Sequence, residues 1–269
     1  MKTFHLLLFP ALLLLAACQQ PSNADQTDDS TTDAAAASPY PAAFQRVLAA
    51  HGGLELWQRQ QGLSYEIVKP DGNEKQVIDL KDRRERIDAS NFTMGYDGSH
   101  FWLAADTSYH GDPIFYKNLM FYFYAMPFVL ADAGIRYAEA EPLVFGDKTY
   151  PGLRISYEPG VGVSPEDEYF LHYDADTYQM AWLGYTVTYE TKAKSSTIKW
   201  IRYDDWMDIN GLKLPKSMNW HTTEDNKPVA ARNRRAFEQV TLSLARPADS
   251  LFAIIPGAKL VVEWGLELF

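Results

Sequence analysis

Five of the six histidines, two acidic clusters, the single Asp132 and one glycine-rich run are the residues whose side chains could do chemistry, and their spacing limits what each can do. His51, His100, His110, His172 and His221 contain no close pair of the His-Glu-x-x-His kind that sets two metal ligands on one helix face. Asp174-Ala175-Asp176-Thr177-Tyr178 opens like a calcium loop but lacks the glycine at the sixth position and the glutamate at the twelfth, so it reads as a hairpin turn. Gly160-Val161-Gly162-Val163-Ser164 has neither the glycine that follows the serine of a nucleophile elbow nor the lysine of a phosphate loop; it reads as a loop. Glu166, Asp167 and Glu168 could serve glycoside chemistry only with a second carboxyl at a set separation, and three acids in a row are more simply a solvated turn. His51-Gly52-Gly53 fits the end of a helix, where the ring meets free carbonyls and the glycines allow the turn. Asp132 directly follows an apolar stretch. It either satisfies backbone donors at a chain reversal or, at the mouth of a cavity, orients a ligand headgroup. No catalytic motif emerges, and the expectation is a protein without metal or cofactor that is not an enzyme.

The one cysteine has a different chemistry. Met1 to Cys18 carries Lys2, then a leucine-rich run from Leu6 to Leu15, then Leu15-Ala16-Ala17-Cys18, which is the plan of a secretory signal. Its last four residues resemble the lipobox of bacterial lipoproteins. That resemblance implies cleavage before Cys18 (signal peptide 1–17), a diacylglyceryl group on its sulfur and a third acyl chain, such as palmitate, on its new amino terminus. At ~0.8 kcal/mol per buried CH₂, one chain binds a bilayer reversibly, whereas two or more hold it. Gln19 lacks the aspartate that retains lipoproteins in the inner membrane, so the expected address is the outer membrane, facing the periplasm. With Cys18 lipidated the domain has no disulfide, and its stability must come from packing.

Residues 18–38 contain no aromatic or large aliphatic side chain after Cys18 and cannot offset the entropy of ordering. They read as a tether holding the domain on the order of 25 Å from its anchor. Residues 39–269 then form one domain. The formal net charge of the chain is −10. An acidic protein argues against nucleic acid and against adsorption to anionic headgroups, both of which need basic patches. Arg232, Arg234 and Arg235 read as a solvated strand face.

The element that the rest must position, or cover, is Ile114 to Ala131. Seven of its residues are Phe or Tyr, with Leu119, Met120 and Met126 in most of the gaps, so a helix here is apolar all round and must be buried. Lys117, Asn118 and Pro127 spoil it as a membrane span. It reads as a plug or lid helix, with Pro127 and Gly134 as hinge points. Before it, Tyr40, Phe44, Val47 and Leu48 predict an amphipathic helix over Pro41–His51, followed by a short helical turn at Leu54–Trp57. Elsewhere the pattern has period two: Leu63, Tyr65 and Ile67; a return strand over Gln76–Leu80 after Pro70-Asp71-Gly72-Asn73; then Arg83–Ala89, Phe92–Tyr96 and His100–Ala104. After the plug, Leu153, Ile155 and Tyr157, then Tyr169, Leu171 and Tyr173, then Val240, Leu242 and Leu244 continue it. Such strands have one wet and one dry face, and a large antiparallel sheet made of them must curl or be covered. The fold class is therefore mainly β (α+β): a large curved antiparallel sheet, an incomplete β-barrel, closed by an N-terminal helix and a central aromatic helix.

The motifs Gly211-Leu212-Lys213-Leu214-Pro215, Val240-Thr241-Leu242-Ser243-Leu244, Leu251-Phe252 and Pro256-Gly257-Ala258 resemble the LolA/LolB superfamily of periplasmic lipoprotein carriers. His51-Gly52-Gly53 with Trp57, Tyr96-Asp97-Gly98 with Phe101-Trp102, and Met126-Pro127-Phe128 through Asp132-Ala133-Gly134 resemble a group of bacterial lipoproteins assigned to that fold. The resemblance implies a half-barrel whose concave apolar face is closed by helices and accepts acyl chains. The expected cavity lining is Trp57, Trp102, Phe115, Phe121, Met126, Trp182 and Trp200, with Asp132 at its mouth. The expected function is binding or carrying a lipid or other apolar ligand between the sheet and the aromatic helix. The alternative is an envelope scaffold with a filled core and a protein partner, and a hydrolase using Asp132 or the acids at 166–168 comes third.

Overall fold

Helical spacing near the amino terminus and alternation thereafter govern the architecture. The computed structural model describes residues 38–158 and 164–261, apart from the side chain of Asn118. The signal segment, Cys18, the tether before Ser38 and residues 159–163 of the glycine-rich run lie outside the described residues. Contacts divide the chain at Pro39, and every element below belongs to the part that begins there.

Pro41 precedes helix α1 (Ala42–Ala50), which buries Phe44, Val47 and Leu48. The amides of His51 and Gly53 close onto the Leu48 carbonyl at 3.1 and 2.9 Å. Gly52 between them has φ 101°, and a Cβ there would lie 2.1 Å from the Gly211 carbonyl oxygen, so only glycine fits. Helix α2 (Leu54–Arg59) follows and buries Trp57.

Five strands run consecutively: β1 (Gly62–Ile67), β2 (Glu74–Asp79), β3 (Glu85–Asp88), β4 (Phe92–Tyr96) and β5 (Phe101–Ala105). The aromatic stretch comes next as helix α3 (Pro113–Tyr124) and a 3₁₀ turn (Phe128–Ala131). Then come β6 (Ile135–Phe145), β7 (Lys148–Tyr157), β8 (Tyr169–Tyr173), β9 (Met180–Tyr185), β10 (Lys199–Ile209), β11 (Leu212–Glu224), β12 (Lys227–Ser243) and β13 (Lys259–Val261). The spatial order is β13-β5-β4-β3-β2-β1-β12-β11-β10-β9-β8-β7-β6, a single 13-stranded sheet with antiparallel neighbours. It is open, with β13 and β6 as its edges. The pairing of β1 with β12 joins the early meander to the late one.

Register sorts the side chains. On one face Leu63 lies opposite Ile78 and Leu242, Ile87 opposite Met94, Met94 opposite Leu103, and Leu183 opposite Ile201 and Leu171. Leu63, Ile78, Leu171, Leu183, Ile201 and Leu242 of that face pack with α1, α3 and the 3₁₀ turn into the main core, in which Phe44, Tyr65, Tyr124, Met126, Phe128, Tyr203 and Phe237 are almost fully buried, while Ile87, Met94 and Leu103 form a smaller cluster with Phe92 and Tyr109. The sheet therefore wraps the aromatic stretch. Among the described residues no helix is long and apolar enough to cross a membrane.

Two expectations change here. The plug is not one helix to Ala131: α3 stops at Tyr124, Ala125 caps it with its amide on the Phe121 carbonyl, and the chain restarts as the 3₁₀ turn. Pro127, with no amide hydrogen to give and a ring that keeps Met126 out of the helical region, ends the run. The predicted strand over Arg83–Ala89 starts later, at Glu85, because Arg83 has φ 57° and belongs to the turn after β2.

Candidate functional site

Helix α3 starts under control of its own sequence. Asp112 accepts the amides of Ile114 and Phe115 at 2.9 and 3.1 Å, and Pro113 sits at the first helical position, where its missing N–H costs nothing. Three tyrosine hydroxyls from other elements then hold carbonyls along the plug. Tyr203 donates to Phe123 at 2.8 Å, Tyr40 donates to Ala131 at 3.0 Å, and Tyr137 donates to Leu130. These are carbonyls that a helix interrupted by proline leaves without intrahelical partners.

The plug is clasped at its far end by an ion pair. Arg83 Nη2 reaches both oxygens of Asp132, at 3.0 and 2.9 Å, and its guanidinium lies 4.8 Å from the centre of the Phe121 ring. Asp79 shapes the turn that presents Arg83: its carboxylate accepts the amides of Lys81 and Asp82 and the guanidinium groups of Arg84 (2.7 Å) and Arg246 (2.5 Å). Burial pushes Asp79 up, but those hydrogen bonds outweigh it and hold the carboxyl at about 2. Burial also raises Asp132, partly offset by Arg83.

Arg83 lies between two hollows. One, about 150 Å³, is a cleft lined by Trp57, Gln60, Leu80, Lys81, Phe128 and Asp132, among others. Trp57 stacks on Phe128 across it, ring centres 4.8 Å apart and planes 8° apart. The other, about 50 Å³, is lined by Ile78, Arg83, Glu85, Lys117, Phe121 and Tyr122. Both are far smaller than the ~300–1,000 Å³ of a pocket for a drug-sized ligand. The protein's own aromatics fill the rest of the concave space.

Charged side chains are buried in the seam between α3 and the sheet. Glu74 accepts from Lys69 (2.5 Å), Gln76 (2.7 Å) and the Tyr116 hydroxyl (2.8 and 2.9 Å), and Tyr65 donates to Gln76 at 2.5 Å. Glu85 differs: it is 1% exposed and neither carboxyl oxygen has a hydrogen-bond partner. Its burial, opposed by Lys117 and reinforced by Glu74, pushes the carboxyl up to about 8. Lys117 is lowered by burial, and its ammonium lies 4.5 Å from the centre of the Tyr96 ring.

Of the residues expected to line a cavity, Trp57, Phe121, Met126 and Asp132 come together around the plug and its clasp. Phe115 does not; it packs against Tyr189 at 5.0 Å, where the loop after β9 covers the start of α3. Trp102 lies on the opposite face of the sheet. Its ring covers Gly95, where a Cβ would approach to 2.5 Å, and its indole N–H donates to the Phe252 carbonyl at 3.0 Å. Trp182 and Trp200 also face away from the plug, in a second cluster with Leu143, Tyr150 and Ala181, and Phe145 of β6 packs on Trp182 at 4.6 Å. Large aromatics mark buried surface, but here parts of both faces of the sheet are covered.

The other polar motifs are structural. The carboxylate of Asp174 accepts the amides of Asp176 and Thr177 in the β8–β9 turn, Asp167 accepts the amide of Thr188, and Glu168 pairs with Arg154. His51 Nδ1 lies 2.8 Å from the Val47 carbonyl, as the end-of-helix reading expects, with its ring 4.6 Å from Trp206. No group of three or more metal-ligating residues occurs among the described residues.

Residues 109–233 match the model of a family of unknown function (DUF6503), a span from just before α3 to the middle of β12. No curated protein matches the chain. A LolA superfamily protein of Nitrosomonas europaea is similar in structure at 10% identity, covering 78% of this chain and 96% of its own, with a TM-score of 0.43. An outer membrane lipoprotein-sorting protein domain of Vibrio parahaemolyticus follows at 9% identity, 81% and 95% coverage and a TM-score of 0.31. MucB, solved also with MucA from Pseudomonas aeruginosa, is 13% identical, with 82% and 66% coverage and a TM-score of 0.26. The chain itself folds as an open, mainly β, antiparallel sheet around a central aromatic helix.

Proposed function

We propose that this is a lipid-anchored cell-envelope protein that binds or carries a lipid or other apolar molecule on the concave face of its sheet, with α3 and the 3₁₀ turn as a lid. Cys18 and the tether after it would hold the domain near the periplasmic face of the outer membrane. The described conformation is then the closed one, with the lid's aromatics occupying the ligand's place.

The observation that carries this reading is the charge buried in the seam. A permanently filled core gains nothing from Glu74 and Glu85 beneath α3, because a buried carboxyl without hydrogen bonds costs free energy and a buried ion pair rarely outdoes an apolar one. A lid that separates from the sheet wets these groups each time it opens. The plug is also held at its rim by exchangeable polar contacts, the Arg83–Asp132 pair and the hydroxyls of Tyr40 and Tyr137, and within the core by that of Tyr203. Once they part, the newly exposed apolar surface gains ~25 cal/mol per Å² on meeting an acyl chain.

The test is to export residues 39–269 to a periplasm without Cys18, purify them without detergent, extract with organic solvent and identify the extract by mass spectrometry. A stoichiometric lipid or other apolar molecule supports the carrier. A folded protein that yields none, and takes up none when offered envelope lipids, favours the second reading, a filled-core scaffold. That reading draws on the open edge strand β6, whose Val144 is 62% exposed and available to a protein partner.

A further inference from the structure

The 50 Å³ pocket beside Arg83 has a composition that a packing defect would not have. Its walls are apolar where Ile78, Phe121 and Tyr122 line it, and the rest is Arg83, Glu85 and Lys117. Three polar atoms there are buried without a partner: Nη1 of Arg83 and both carboxyl oxygens of Glu85. Each such atom costs free energy unless something fills the space. A single water needs only about 10–15 Å³ of such space, so the pocket has room for a small polar group beside these atoms.

We infer that this pocket holds the carboxylate of a fatty acid, between the free Nη1 of Arg83, the ammonium of Lys117 and the carboxyl of Glu85, with the acyl chain leaving past Phe121 and Ile78. The inference rests on the carrier reading and names the ligand's head. The small volume favours a carboxylate over a phosphodiester with its glycerol. Charge selects an anion: Arg83 already faces Asp132, while Lys117 lies over the Tyr96 and Phe101 rings and its nearest carboxyl, Glu85, is kept protonated by burial up to about pH 8. The site then offers three donors and lacks one negative charge. Phe121 and Ile78 both belong to the main core, so a chain that starts at this pocket runs along the lid's sheet-facing surface.

Binding is therefore linked to the proton on Glu85. The titratable and charged groups around it are Lys117 and Tyr116 of α3, Glu74 of β2, Tyr65 of β1 and Arg83 of the following turn. Deprotonation places two carboxylates side by side, which costs affinity, whereas a protonated Glu85 donates a charge-assisted hydrogen bond to the ligand.

The experiment titrates the full chain carrying C18S, so that it bears no acyl anchor of its own, with laurate, dodecanol and dodecyl phosphate below their micelle concentrations, from pH 6 to 10. Laurate is expected to bind at least tenfold tighter than dodecanol at pH 7 and to weaken about tenfold per pH unit above 8. E85Q, which donates without titrating, is expected to bind laurate with little pH dependence up to pH 9, a gain that a merely structural role would not produce. K117M is expected to bring laurate down to the affinity of dodecanol. Equal binding of laurate and dodecanol, tighter binding of dodecyl phosphate, or an unchanged pH profile in E85Q overturns the carboxylate site while leaving the carrier reading standing. No binding of any of the three overturns both.

Discussion

Arg83 and Asp132 are 49 residues apart and meet through two hydrogen bonds from one guanidinium nitrogen, so the turn after β2 is tied to the residue that follows the plug. Both side chains are about one-third exposed, at 32% and 39%. Such a pair contributes little to global stability, on the order of 1 kcal/mol or less. D132A and R83A should therefore stay folded, with Tm lowered by only a few degrees, while the amides of Phe128 to Ala131 exchange with solvent faster. Hydrogen exchange resolved by peptide checks this. A collapse of the fold in D132A would instead give Asp132 a purely structural role.

Asp79 is the buried counterion of Arg84 and Arg246. Its folded-state carboxyl, at about 2, lies below the ordinary 3.8, so its stabilisation is fully present above pH 3.8 and is lost as the pH falls towards 2. The shift corresponds to roughly 2 kcal/mol. D79N should cost a few kcal/mol at pH 7 and flatten that acid limb, as chemical denaturation at pH 7, 4 and 2.5 would show.

His51 and His172 pull at higher pH. Burial holds both at about 4 against an ordinary 6.5, and each donates its Nδ1–H to one backbone carbonyl, Val47 and Tyr150 respectively. A base with a depressed folded-state pKa stabilises fully above pH 6.5 and progressively less down to pH 4, by up to roughly 3 kcal/mol per histidine. Glu85, raised to about 8 from 4.5, acts the other way: stability is lost as pH rises from 4.5 to 8. E85Q should therefore be more stable than the parent at pH 8 and no more stable at pH 4.5. Thermal melts across pH 4 to 9 test both slopes.

The tryptophans should divide by face. W57F opens the stack on Phe128 and should change ligand affinity. W102F and W200F, through lost packing and an indole hydrogen bond, and W182F, through lost packing alone, should lower stability by about 1–3 kcal/mol and leave affinity unchanged. Measuring binding and melting on the same four variants checks the division.

Much of this was legible in the residues. The helix from Pro41, the strand Phe92–Tyr96 and the alternation of Leu63, Tyr65 and Ile67 are local patterns, and local patterns suffice for them. Glu85 was readable too, since it shares strand parity with Ile87 and so points inward, but its setting in a run of charges hid it. Arg83 carried no such signal: its partner is remote in sequence, and its left-handed backbone belongs to a turn set by Asp79. The face occupied by Trp102 was not readable because hydrophobicity reports burial, and the segment around Phe252 buries Trp102 on the outer face as fully as the plug buries the inner residues.

The most direct measurement is to lock the lid. Cys18 is the only natural cysteine, so R83C/D132C in a C18S background offers a unique thiol pair for a short, cleavable bis-maleimide. Uptake of the apolar fluorophore N-phenyl-1-naphthylamine is then compared in the linked, unlinked and re-cleaved protein. If α3 and its 3₁₀ turn are a lid, the linked protein fails to take up the probe and cleavage restores it. Uptake at the same rate and extent in all three would contradict a moving lid and leave the aromatic stretch as a fixed core.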